Sequence, residues 1–138
     1  MIEVEYSWEK FFTMEELRAH LKVYHEEDDI EIQAFCDAGL EVAAGFIGGI
    51  IIDKSTTLLA FLQSNNIEYS VLWDNTIAYD SNYWIVPFNK RIRAAVLLFV
   101  GDLYQNREAN TDYNTYENRA FSLLLNGMRN INIRQVGV

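Results

Sequence analysis

The chain has one cysteine and one proline in 138 residues, and it is short of cations. A lone cysteine excludes an internal disulfide framework and leaves no second thiol for a zinc set. Cys36 sits in an apolar helical pattern, so it reads as a small buried hydrophobe rather than a reactive thiol. Lys and Arg number 11 against 20 Asp and Glu, a net charge of −9. That balance excludes a general nucleic-acid coat, because phosphate binding draws its affinity from clustered cations, although a local basic patch stays open. No apolar run reaches the ~20 residues of a membrane span. The N-terminus lacks the basic region and continuous apolar stretch of a secretion signal, so no membrane is expected and a cytoplasmic site of synthesis is.

Catalytic groupings are missing too. His20 and His25 are five apart, which misses the spacing that puts two imidazoles on one helical face. The acidic residues from Glu26 to Glu31 lack the order of a calcium loop. Gly45, Gly48 and Gly49 are not followed by the Lys-Ser/Thr of a phosphate loop, and no Gly-x-Ser-x-Gly elbow occurs. No catalytic residue, metal ligand or cofactor is assigned, and an enzyme is not expected.

What the chain has is apolar mass: 50% hydrophobic residues and 14% aromatic ones. A chain of this length buries roughly 68–70% of its unfolded surface, enough for one domain over 1–138 without staples. Thr13 can cap a first helix, with Glu16 reaching back and Phe12 packing on Leu17 as a staple. That helix runs to about Lys22. Asp28 can cap a second, in which Ile32, Phe35, Cys36, Leu40, Ala43 and Phe46 recur at helical spacing up to Gly48-Gly49. Gly39 and Gly45 inside it suggest that another helix passes close. Thr57 to Gln63 reads as a short helix ended by Ser64-Asn65-Asn66.

The period then changes from 3.6 to 2. Ile67, Tyr69, Val71 and Trp73 share one face, Asp74-Asn75 form a turn, and Ile77 to Ile85 returns, giving a β-hairpin over 67–85. Its aromatics make Trp73 and Tyr79 candidates for partner docking; folding over its own core is the alternative. Pro87 can open a core helix, because its missing N–H falls where a helix start needs no donor. Val96, Phe99, Val100 and Leu103 are its expected core face, and Arg107 with a left-handed Asn106 is its expected end. A last helix from Tyr116, capped by Asn114 or Thr115, carries Ala120, Phe121, Leu124, Leu125 and Met128. The resulting fold class is mainly α: a small bundle of three to four main helices over 13–48 and 86–127, with one hairpin and a tail at 129–138.

Three segments in this order resemble the head–tail connector (adaptor, or head-completion) family of tailed phages, also described as DNA-packaging-like proteins. They are Thr13 to Val23, Glu26 to Gly48, and the helix through Tyr104-Gln-Asn-Arg-Glu108. The resemblance implies a structural virion protein at the head–tail junction, present in the host cytoplasm during assembly. Copies of it would form a ring under the portal protein, meet a tail-completion or stopper protein, and pass DNA through the channel without sequence-specific binding. The aromatic hairpin, and the absence of a proline-containing segment after the last helix, depart from the family's pattern. A DNA-packaging accessory protein and a small ligand-binding or regulatory helical protein are the alternatives.

Two single-sign clusters then become candidate subunit contacts. Lys90, Arg91 and Arg93 crowd a helix start that disfavours cations by roughly 0.3–1 kcal/mol each. They are either a solvated face or a docking surface for Glu26, Glu27, Asp28, Asp29 and Glu31 of a neighbouring copy. Ile131, Ile133 and Arg134 of the alternating tail are candidates for docking on the portal or an adjacent subunit.

Overall fold

The computed structural model describes residues 4–106 and 119–130. Within them lie α1 (Met14–Leu21), α2 (Asp29–Ile47), β1 (Ile50–Ile52), α3 (Leu58–Ser64), β2 (Tyr69–Val71), β3 (Ile77–Tyr79), β4 (Ile85–Pro87), α4 (Lys90–Gln105) and α5 (Arg119–Leu125). The expected helical bundle with one hairpin is therefore corrected to a mixed α/β fold. Besides the antiparallel pair β2–β3 there is a second sheet, in which β1 and β4 run parallel.

The parallel pair changes the reading of two segments. Ile50 to Ile52 stand against Ile85, Val86 and Pro87, and Ile51, Ile52, Ile85 and Val86 are buried. An apolar run buried on both sides suits a parallel strand. Pro87 ends this strand instead of opening a helix. The ladder continues through Phe88 N–H, which donates to Ile52 O at 2.8 Å, so the donor that proline lacks falls on the side away from β1. Asn89 is the actual helix cap: its Oδ1 accepts from the amides of Arg91 and Ile92, each at 3.0 Å. Ile85 likewise leaves the hairpin. Asp80 to Asn82 turn the chain, with Asn82 N–H donating to Asp80 Oδ1 at 3.0 Å, and this separates β3 from β4.

The helices follow their local grammar more closely. Thr13 Oγ1 accepts from Glu16 N–H at 3.2 Å, and Phe12 and Leu17 are both buried in the main core. Lys22 closes α1 in the left-handed conformation at φ 59°. Gly48, at φ 75°, ends α2 where a residue with a Cβ would be strained. Thr57 Oγ1 caps α3 by accepting from Ala60 N–H at 3.1 Å. Asp28 departs from expectation: it precedes α2 but makes no side-chain cap bond, because its carboxylate accepts from the Tyr104 hydroxyl at 2.6 Å. Asn106 departs as well. It lies at φ −116° and donates from Nδ2 to Asp102 O, closing α4 without a left-handed turn.

Two apolar clusters result. The main one gathers α1, α2, α4 and α5 around Ile32, Leu40, Val96, Phe99, Val100 and Phe121. Gly39 is where α2 and α4 cross: a Cβ there would stand 3.0 Å from Phe99 Cδ1 and 3.1 Å from Val96 Cγ1. Gly45 has no such neighbour within 4 Å, so the close approach expected there does not occur. On α5, Phe121 and Leu125 are buried while Ala120 is exposed, which corrects its placement on the apolar face. The smaller cluster, Ile52, Leu62, Ile67 and Ile85, holds the sheets and α3 together, and Ile77 and Tyr79 of the hairpin pack against it.

Candidate functional site

The two charged clusters lie on the helix ends, and each is partly committed within the chain. Arg18 of α1 grips Asp29 with two bonds, Nε to Oδ1 at 2.9 Å and Nη2 to Oδ2 at 2.6 Å. Asp28 is held by Tyr104, Glu26 and Glu27 are exposed, and Glu31 is half-buried. At the other cluster, Arg93 Nη2 lies 3.4 Å from Glu16 Oε2. Lys90 and Arg91 stay exposed, and among the described residues neither has an ion pair. The guanidinium of Arg91 lies over Gly127, where a Cβ would stand 3.4 Å from its Nη1. Within one copy, then, the sequence's two candidate clusters do not meet. Glu16 and Arg18, partners that sequence reasoning missed, answer them instead. The signal was present in the mixed charges of the first helix, but which cluster each would reach depends on how α1 packs.

The Arg18–Asp29 pair has a pH signature. The guanidinium beside Asp29 holds its carboxyl below the ordinary value of 3.8. A lowered folded-state pKa means that the pair's stabilisation is present above the unfolded value, about pH 4, and is lost as the pH falls through the lower folded one. Asp29→Asn is expected to flatten the acid limb of a stability–pH profile taken by urea unfolding. An acid limb identical to the parent's would assign it to other carboxylates.

The hairpin presents its apolar face inward at one end only. Tyr79 is half-buried on the small cluster, whereas Trp73 in the turn is 96% exposed, with Leu72 and Val71 exposed beside it. The turn is built by Asp74 Oδ1 accepting from Thr76 N–H at 3.1 Å and by Asn75 at φ 67°. On the opposite face Ser70 stands against Ala78. Glu68 and Asp80 follow next along the strands, joined by Asp80 N–H to Glu68 O at 3.3 Å. All four are exposed, and they line an open depression of about 620 Å³.

The chain beyond α5 is tied back to α2 and β4. Trp84 Nε1 donates to Met128 O at 2.8 Å, Arg129 Nε to Phe46 O at 3.1 Å, and Asn130 N–H to Ile47 O at 2.8 Å. The Arg129 guanidinium also sits 4.6 Å from the Phe46 ring centroid. Arg129 and Asn130, expected to belong to a docking tail, are thus part of the folded core's edge. Ile131, Ile133 and Arg134 lie outside the described residues, as do Arg107, Glu108, Asn114, Thr115 and Tyr116. Nearby, Tyr6, Gly45, Gly49, Tyr83 and Trp84 line a groove of about 400 Å³. Among the described residues Asn82 supplies its one amide side chain, and no charged side chain lines it.

Cys36 is fully buried, and burial pushes its thiol up to about 12. His20 Nε2 lies 3.1 Å from Leu97 O, a bond in which that nitrogen carries the proton. Among the described residues no group of His, Cys, Asp and Glu is placed to hold a metal ion, and no helix is long and apolar enough to cross a membrane. No protein-family model, curated protein or solved structure matches this chain.

Proposed function

We propose that this chain is a structural adaptor of a phage head–tail junction, whose copies close into a ring beneath the portal protein and extend the DNA channel towards a tail-completion or stopper protein. DNA passes through the ring without sequence-specific binding, and no catalysis is involved. The reading places the protein in the virion, after assembly in the host cytoplasm. It draws its support from one observation: of the segments that resemble the connector family, Thr13 to Val23, Glu26 to Gly48 and the helix through Tyr104-Gln-Asn-Arg-Glu108, the described parts supply α1, α2 and α4, which pack on one another in one core. The exposed surface carries two local clusters of single-sign charge and bare aromatic side chains such as Trp73, a combination suited to contacts between protein subunits.

The test is assembly. Full-length protein, alone and with portal-bearing heads, is expected to give rings by electron microscopy and a matching mass by sizing. A chain cut after Asn130 keeps the bonds from Met128, Arg129 and Asn130 to the core. It is expected to melt like the parent and to lose attachment to the heads, because Ile131, Ile133 and Arg134 are gone. A cut chain that still attaches would put the docking surface elsewhere. Protein that stays monomeric and ignores portal-bearing heads would overturn the adaptor reading.

A further inference from the structure

The outer face of the hairpin is energetically unfinished. Glu68 and Asp80 are next to each other across the strands, where like charges repel, and among the described residues no cation pairs with either. Between them and the turn the floor is small, Ser70 and Ala78, and the turn ends in Leu72 and Trp73. Such a surface offers a shallow trough for an aliphatic stem, carboxylates for a cationic head and an apolar tip. Including Asp74, the hairpin carries three negative charges and no positive one.

The complementary surface lies on the other cluster of the same chain. Lys90 and Arg91 are exposed at the start of α4, and the Arg91 guanidinium lies over Gly127. One turn before Gly127 is Leu123, 64% exposed, and one turn before that is Arg119, also exposed. The exposed cations Lys90, Arg91 and Arg119 and the bare Leu123 are thus all carried by α4 and α5, as carboxylates and a bare tryptophan are carried by the hairpin. The two surfaces belong to different clusters, so a contact between them joins unlike patches of two copies. That is a heterologous contact, the kind that closes into a ring when its rotation permits.

We propose that the hairpin of one copy docks on the α4–α5 face of the next. The cations Lys90, Arg91 and Arg119 there meet Glu68, Asp80 and Asp74, and Trp73 packs on Leu123. The inference rests on the ring reading and names the contact that builds the ring. It replaces Glu26 to Glu31 as the partners of the basic helix start, since the Arg18 guanidinium already pairs with Asp29 in that run, whereas among the described residues no cation pairs with Glu68, Asp74 or Asp80.

Single-cysteine chemistry tests it in the full chain. Trp73→Cys and Leu123→Cys both alter exposed side chains, while the native Cys36 is buried with its thiol raised to about 12 and stays silent to maleimides. A short bismaleimide should join the two variants when they are mixed, and neither variant to itself, both in concentrated protein and on portal-bearing heads. Glu68→Lys with Asp80→Lys should cut the yield about tenfold or more, as expected where like charges replace matched ones, and Lys90→Glu with Arg91→Glu in the other partner should restore it. Rings without the mixed cross-link, or a Trp73→Cys variant that joins to itself, would overturn this contact and leave the ring reading standing. Absence of any assembly by sizing and microscopy would overturn both.

Discussion

Replacing Phe99 by alanine is expected to cost ~3–5 kcal/mol of unfolding free energy, the range for emptying a fully buried aromatic site. Phe99 is inaccessible to solvent, fills the notch that Gly39 leaves in α2, and lies 6.4 Å from the Phe121 ring between centroids. One side chain thus joins α2, α4 and α5. Against a total of roughly 5–15 kcal/mol for a natural domain, the loss is a large fraction. Urea unfolding of parent and variant measures it, with Phe99→Leu as a smaller cut expected to lose less. A Phe99→Ala protein with the parent's urea midpoint would mean that the core is organised elsewhere.

A second large effect is expected at Gly49, and the contrast with Gly45 makes it specific. A Cβ at Gly49 would stand 2.4 Å from Trp84 O and 2.7 Å from Trp84 Cδ1. That carbonyl accepts from Ile50 N–H at 2.8 Å, the bond that starts the parallel pair, and it is backbone held by the strand, so it cannot swing aside. Gly49→Ala is therefore expected to cost about 2–3 kcal/mol or more by forcing β1 and β4 apart. Gly45→Ala adds the same methyl group to open space on an exposed turn of α2, and a gain of about 0.5–1 kcal/mol is expected from the better helix former. Urea melts of the two variants, with hydrogen exchange at the Ile50 amide, check both signs. Equal effects at the two positions would show that the β1–β4 contact does not depend on the close approach of Gly49.

The difference between those glycines was not legible in the sequence, where both sit in one helical run and its Gly-Gly stop. Gly39, a third, was read correctly as a close crossing, yet by the same argument that failed at Gly45. A glycine reports that a Cβ is absent; only the neighbour's position says whether one would collide. The candidate contact residues divide in a similar way. The charge runs at Glu26 to Glu31 and Lys90 to Arg93 stand out in the chain. Their commitments to Arg18, Tyr104 and Glu16 come from elements distant in sequence.

By itself the sequence determined the pieces whose cause is local. Thr13 caps because its hydroxyl reaches the amide three residues on, and Gly48 stops α2 because its own backbone turns left-handed. The buried face Val96, Phe99, Val100 and Leu103 follows from the 3.6 period. Tertiary structure decided the rest. Pro87 is compatible both with the first turn of a helix and with a strand edge, and its φ suits either; the choice fell to β1, whose Ile52 carbonyl takes the Phe88 amide. Ile50-Ile51-Ile52 is too short to announce a strand, and its partner comes only after α3 and the whole hairpin. A parallel pair is made of bonds between residues far apart in the chain, so no local pattern encodes it, and it forms only where burial of both segments in the same cores brings their backbones together.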